Sequence, residues 1–141
     1  MTQTIGFGLV RETLPTERRV ALTPQGVEQL IALGHAVILE SGAGADAGFT
    51  DDDYLAVGAT LCLSETEVVS GADVLVKIHG PLENEHNLLR EGGTITGFMH
   101  LFSPESSALR NLIREHKVNA IAWELLEEND GSRPVLEAVS A

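Results

Sequence analysis

The sequence predicts an open doubly wound α/β domain, in which helices cover both faces of a mostly parallel sheet. Short apolar runs recur along the chain, and most are continuous rather than alternating, as in strands buried on both faces. Between them lie segments with helix start and stop signals, so that strand and helix alternate throughout. With 141 residues and 43% hydrophobic content, the chain has the size of one domain, residues 1–141, with no linker or repeat.

Six apolar runs are the strand candidates. The fourth is strongly apolar and the third is the weakest of the series. In chain order they are IGFGLV (5–10), AVILE (36–40), ATLCL (59–63), DVLVKI (73–78), TITGFM (94–99) and VNAIAWELL (118–126).

The first helix is predicted from its ends. Thr23 is an N-cap, Pro24 stands at the first helical position, and Gly34 closes the helix. Four residues at helical spacing form its predicted apolar face: Val27, Leu30, Ile31 and Leu33.

Three further helices follow from the same kinds of signal. Thr50 caps a helix that runs up to Gly58, and Ser64 with Glu67 predicts a capping box at the start of the next one. Residues 104–116 carry leucine and isoleucine at helical spacing, which predicts another amphipathic helix.

Composition excludes several classes of function. A net charge of −12, with nine basic against 21 acidic residues, disfavours a nucleic-acid partner, because phosphate backbones are bound by clustered lysine and arginine. Cys62 is the single cysteine, so the chain forms no internal disulfide, and no metal site is predicted. The N-terminus has no leader pattern and no apolar run is long enough to span a membrane, so we expect a cytoplasmic protein.

The glycines of SGAGADAGF (41–49) resemble a phosphate-binding turn, but their spacing is G-x-G-x-x-x-G instead of G-x-G-x-x-G. Asp46 lies within the loop, and the helix that follows opens with Asp51, Asp52 and Asp53. These carboxylates oppose a diphosphate and suit a helix N-terminus, so the stretch is interpreted as a surface turn. IGFGLVRE (5–12) also lacks a third glycine, and the chain is predicted to contain no dinucleotide site of its own.

Charged or titratable groups follow three of the predicted strands, where open α/β sheets place their ligand sites. Residues 10–24 supply Arg19 among other charged side chains, and its guanidinium could hold a substrate carboxylate or belong to an exposed ion-pair loop. Lys77 and His79 end the fourth strand on the same face, and they are interpreted either as an acid/base or carbonyl-polarising pair or as a solvated strand end. His100 ends the next strand, as a catalytic group or a hydrogen-bonded core histidine.

Taken together, these stretches resemble the N-terminal domain of the alanine dehydrogenase and nicotinamide nucleotide transhydrogenase family. The most specific parts are RET followed by RRVALTP, the SGAG turn before an acidic helix, and VLVK followed two residues later by a ligand position and a proline. Saccharopine dehydrogenases share a similar opening. The resemblance implies a flavodoxin- or Rossmann-like substrate domain, with NAD or NADP bound by a separate Rossmann domain that is absent from this chain and joins it in cis or in trans.

The resemblance also implies roles for individual residues. Arg19 matches the arginine that holds the substrate carboxylate, and His100 matches the histidine of the F-x-H-L motif. Lys77 aligns with an earlier family lysine, so His79 stands where the substrate lysine is expected. Transhydrogenase alpha chains lack that lysine too, but they generally lack the histidine as well. Val139 stands where the amino-acid enzymes often carry a substrate-contacting methionine.

The leading hypothesis is therefore the substrate-binding part of an NAD(P)-dependent amino-acid or keto-acid oxidoreductase that forms homo-oligomers. Arg19, His79 and His100 are expected to converge on a small carboxylate substrate at the carboxyl ends of adjacent strands. The alternatives are a transhydrogenase-like or saccharopine-dehydrogenase-like domain, or a free-standing module that binds a ligand or a protein without catalysis.

Overall fold

The computed structural model describes residues 3–140, apart from the side chains of Glu83, Val139 and Ser140. All six predicted strands are present, most of them shorter than the apolar runs. The strands are β1 (Gly6–Leu9), β2 (Ala36–Glu40), β3 (Thr60–Cys62), β4 (Val74–His79), β5 (Thr94–Phe98) and β6 (Asn119–Ala122). The α-helices are α1 (Pro24–Ala32), α2 (Asp51–Ala56), α3 (Glu65–Gly71), α4 (Ser107–Glu115) and α5 (Pro134–Ser140).

The strands form one sheet in the order β3-β2-β1-β4-β5-β6. β1 pairs in parallel with β2 and with β4, β2 with β3, and β5 with β6. This order is that of a doubly wound α/β sheet, in which ligands bind at the carboxyl ends of the strands. The predicted fold class is confirmed.

The chain divides into two compact units, one up to Ile78 and the other from His79 onward. The core of the first unit lies between β1, β2 and the helices that cover them. Tyr54 of α2 is fully buried in this core, and its hydroxyl donates to the carbonyl oxygen of Leu22 (2.8 Å). The buried cluster comprises Leu9, Val27, Val37, Leu39, Tyr54 and Ala59.

Helix α1 begins and ends where its caps predict. The Thr23 hydroxyl accepts from the backbone N–H of Gly26 (3.1 Å), and Gly34 adopts the left-handed conformation with φ +93°. The predicted apolar face is wrong at one position, because Leu33 is 69% exposed. Leu33 follows the last helical residue as the C-cap, so the chain reverses there and the side chain leaves the buried face.

The other caps agree with the sequence in part. Thr50 and Asp53 form a reciprocal capping box at the start of α2. At α3 the Ser64 hydroxyl accepts from the N–H of Glu67 (3.2 Å), as predicted, but the Glu67 carboxylate accepts from Leu63 (3.4 Å). The reciprocal half of the predicted capping box therefore falls one residue earlier.

In the second unit β5 and β6 pair, and buried apolar side chains come from β5 and from the segment that precedes it. The helix predicted over 104–116 consists of a 3-10 turn (Pro104–Ser106) followed by α4. The last predicted strand ends at Ala122 and continues as a 3-10 turn (Trp123–Leu125). No helix within residues 3–140 is long and apolar enough to cross a membrane.

Candidate functional site

The glycine turn after β2 is filled by a carboxylate of the protein itself. The backbone N–H of Gly42 donates to Asp51 (2.8 Å), and the hydroxyl of Ser41 donates to the other oxygen of the same carboxylate (2.6 Å). The hydrogen bond from Ser41, followed by that from Gly42, lowers the pKa of Asp51. A Cβ at Gly44 would lie 2.6 Å from the ring of Tyr54, so this glycine permits a close approach inside the core. These contacts agree with the interpretation as a structural turn.

The guanidinium of Arg19 engages a neighbouring carboxylate. Its Nε donates to the two oxygens of Glu17 at 2.9 and 3.2 Å, and its Nη2 donates at 2.6 Å. The Arg19 side chain is 52% exposed, whereas that of Glu17 is 6% exposed. The hydrogen bond to Glu17 is the main cause that raises the pKa of Arg19. The guanidinium thus presents two parallel donors, which is the geometry that binds a carboxylate. In this structure those donors engage Glu17, in an ion pair of the kind that the alternative interpretation anticipated.

Lys77 lies in the interior of the first unit, so the interpretation as a solvated strand end is wrong for this residue. Its side chain is 1% exposed, and Nζ donates to the Glu12 carboxylate (3.4 Å), which is 5% exposed. The other oxygen of Glu12 accepts from the backbone N–H of Ile78 (2.9 Å). β1 and β4 pair where the strand order reverses, so this buried ion pair joins their carboxyl ends at the position where doubly wound sheets bind ligands. The substrate-binding role of Lys77 stays a prediction.

The second unit brings His79 and His100 to one cavity. This cavity, which we call the histidine cavity, has a volume of about 180 Å³, and its walls include both histidines, Phe98 and Met99. The imidazole of His100 stacks on the ring of Phe98, with centroids 6.5 Å apart and planes inclined by 23°. Two imidazoles on one cavity can supply acid/base chemistry to a bound molecule. The expected approach of Arg19, which belongs to the first unit, to these histidines stays a prediction.

A glutamate that the sequence analysis did not single out fixes the backbone at His100. The Glu124 carboxylate accepts from the N–H of His100 (2.7 Å) and from that of Met99 (3.2 Å). His100 adopts φ +48°, in the left-handed region that non-glycine residues seldom occupy. Its carbonyl oxygen also accepts from the hydroxyl of Ser106 (2.9 Å). The signal in the sequence was a carboxylate inside the apolar run WELL (123–126), which needs donors wherever that run packs.

Val139, the last predicted site residue, belongs to α5, and its side chain lies outside what the structure describes. Its predicted contact with the substrate stays a prediction.

Comparison with known proteins identifies the relatives of this chain. The family model described as alanine dehydrogenase/PNT, N-terminal domain, matches residues 8–141. An alanine dehydrogenase of Methanococcus maripaludis is 36% identical over 134 residues, which cover 95% of this chain and 35% of that protein.

Solved structures agree with this relationship. An L-alanine dehydrogenase superposes with a TM-score of 0.90 at 31% identity, over 96% of this chain and 37% of that one. A transhydrogenase from Sinorhizobium meliloti superposes with a TM-score of 0.77 at 26% identity, over 87% of this chain and 36% of that one.

The chain spans about a third of the length of these relatives. Both the family match and the L-alanine dehydrogenase structure agree with the resemblance seen in the sequence, and the alanine dehydrogenase interpretation is better supported than the transhydrogenase alternative. The chain belongs to the alanine dehydrogenase/PNT N-terminal domain family.

Proposed function

We propose that this chain is the substrate-binding domain of an NAD(P)-dependent oxidoreductase that interconverts an amino acid and its 2-oxo acid. The observation that carries the proposal is the pair of histidines on one cavity, in a domain whose relatives are alanine dehydrogenases. The nicotinamide cofactor supplies hydride transfer when it is bound.

The glycine turn does not fit such a cofactor. The amide of Gly42 already donates to Asp51, and further carboxylates follow at the start of α2. We therefore assign cofactor binding to a Rossmann domain that joins this one in cis or in trans, and we expect the chain alone to bind NAD or NADH more weakly than micromolar.

We assign separate tasks to the site residues. Arg19 binds the substrate carboxylate through the Nη1–Nη2 edge of its guanidinium, because Glu17 occupies the Nε–Nη2 edge while about half of the Arg19 side chain is exposed. His100 exchanges the proton of the substrate amine or carbonyl oxygen, and the clamp by Glu124 holds its backbone in place. His79 also lines the histidine cavity, and we assign to it the polarisation of the same functional group.

The test is reductive amination by this domain together with its cofactor domain, measured as oxidation of NADH or NADPH in the presence of ammonia and a 2-oxo acid. We expect His100→Asn to lower kcat at least a hundredfold, which is the lower end of general acid/base contributions. His116→Asn, a histidine at the C-terminal end of α4, is the matched control and is expected to change kcat less than twofold.

The role of Arg19 is tested by Arg19→Gln, with its exposed neighbour Arg18 changed in the same way as the control. We expect Arg19→Gln to lower kcat/KM for the oxo acid about a hundredfold, because a charge-assisted bidentate contact is lost. Binding of acids without turnover, in a complex that contains the cofactor domain, would favour the non-catalytic module instead.

A further inference from the structure

A second cavity adjoins the histidine cavity in the second unit. It has a volume of about 260 Å³, and we call it the leucine cavity because Leu82, Leu109 and Leu112 line it. Leu82 and Leu109 also line the histidine cavity, and so do Pro81 and Ser106. Since four residues belong to both walls, a molecule with one end at the histidines can reach the leucine cavity along these shared side chains.

The size of the leucine cavity exceeds what the side chain of alanine needs. A water molecule occupies about 30 Å³ of liquid, so this cavity of about 260 Å³ corresponds to roughly nine such volumes, whereas a methyl group contributes a single heavy atom. A substrate with a methyl side chain would leave most of the leucine cavity to water. The apolar part of its wall, which Leu82, Leu109 and Leu112 form with Pro81 and Ala108, favours a longer hydrocarbon chain, because each buried methylene is removed from water.

The polar groups of the leucine cavity indicate which chain ends fit. Its lining includes Glu105 and His86 besides the apolar residues. Glu105 is an exposed residue whose carboxylate accepts a hydrogen bond from the hydroxyl of Ser103, and it is ionised at neutral pH, as glutamates ordinarily are. A second carboxylate at the end of a substrate side chain would face this negative charge and be disfavoured.

We propose that the leucine cavity is the side-chain pocket of the active site, and that the substrate is a 2-oxo acid or amino acid with an uncharged aliphatic side chain of three to five carbons. The head of the substrate lies at His79 and His100, and its side chain runs between Leu82 and Leu109 toward Leu112. This inference rests on the proposed function and adds the substrate class to it.

The experiment compares 2-oxo acids of increasing length in the reductive amination assay with the cofactor domain present. We expect kcat/KM to rise about threefold for each added methylene, so that 2-oxohexanoate exceeds pyruvate at least tenfold. The dicarboxylate 2-oxoadipate is expected to be at least tenfold poorer than 2-oxohexanoate. A preference for pyruvate over all longer acids would overturn the inference while leaving the proposed function intact.

A filling variant tests the location of the pocket. Ala108 lines the leucine cavity, whereas Asn111 is an exposed residue of the same helix that lines neither cavity. Ala108→Phe is expected to lower the ratio of kcat/KM for 2-oxohexanoate over pyruvate at least tenfold, and Asn111→Phe is expected to leave that ratio unchanged. An unchanged ratio in a folded Ala108→Phe protein would contradict the placement.

Methyl NMR on the unaltered chain separates the two proposals and does not depend on any variant folding. Titration with 2-oxohexanoate is expected to shift the methyl signals of Leu109 and Leu112 more than pyruvate does. If these shifts occur but the complex turns over no acid, the pocket is real and the oxidoreductase proposal fails. If neither shifts nor turnover occur, both proposals fail.

Discussion

Replacement of Glu124 by alanine tests whether this carboxylate holds the segment that carries His100. In the structure it accepts from Met99, a residue that is 2% exposed, and from the exposed His100. Hydrogen bonds to charged groups contribute about 1.5–3 kcal/mol each, and the contact at the exposed residue lies at the low end. The left-handed backbone of His100 costs the folded protein about 1 kcal/mol. Release of this strain in the variant reduces the net loss by that amount. We therefore expect Glu124→Ala to lower the free energy of unfolding by roughly 2–4 kcal/mol.

The assay is urea unfolding followed by the fluorescence of the neighbouring tryptophan and by circular dichroism. Glu127→Ala is the matched control, because that glutamate is half-exposed and its contact with Arg133 spans 3.9 Å. An exposed pair of this kind contributes less than about 1 kcal/mol. Glu124→Gln keeps one acceptor oxygen and should lose about half as much as the alanine variant. The reasoning is refuted if Glu124→Ala is no less stable than Glu127→Ala.

Three other predictions concern the first unit. Gly44→Ala should lower the free energy of unfolding by about 1–3 kcal/mol, because its Cβ would lie 2.6 Å from the buried ring of Tyr54; an unchanged thermal midpoint would contradict this. Because the pKa of Asp51 is lowered in the folded protein, its carboxylate contributes stability at every pH above the usual aspartate pKa of about 3.9. This contribution is lost as the pH falls from that value through the lower pKa of the folded state. Urea unfolding should therefore show that the free energy of unfolding falls less between pH 7 and pH 3 in Asp51→Asn than in the unaltered protein. Equal falls in the two proteins would refute this role of Asp51. Lys77→Met should destabilise by about 3–5 kcal/mol because Glu12 keeps a buried charge without its ammonium partner. Adding Glu12→Gln to that variant should restore part of the stability in the same assay, and no recovery would argue against a charge effect.

The elements of the fold could be predicted from the sequence because their signals are short-range. A continuous apolar run predicts a buried strand within its own few residues, and β2 occupies the same residues as the predicted run AVILE. The caps Thr23 and Thr50 each act on a backbone N–H three residues ahead. The errors are of the same local kind, since Leu33 was assigned to a buried face one residue beyond the end of its helix.

The candidate site was predicted as a set of residues without their partners. The sequence placed charged groups after three strands and matched Arg19 and His100 to family positions, but it could not show that Glu17 occupies the fork of that arginine. It likewise left Lys77 as a solvated strand end among its alternatives, because period-two alternation gives the face of a strand and not the depth of its burial. The depth depends on what packs against the strand, which lies elsewhere in the chain.

By itself, therefore, the sequence determined the alternation of strands and helices, the caps, the acidic character of the glycine turn and the family. The tertiary structure decided which groups pair. Glu12 meets Lys77 across 65 positions because β1 and β4 are neighbours in the sheet, and Glu124 reaches His100 across 24 positions because β5 and β6 are neighbours. Helix and turn signals act over a few residues, whereas a buried carboxylate takes the donors that the strand order brings to it, and local patterns carry no information about that order.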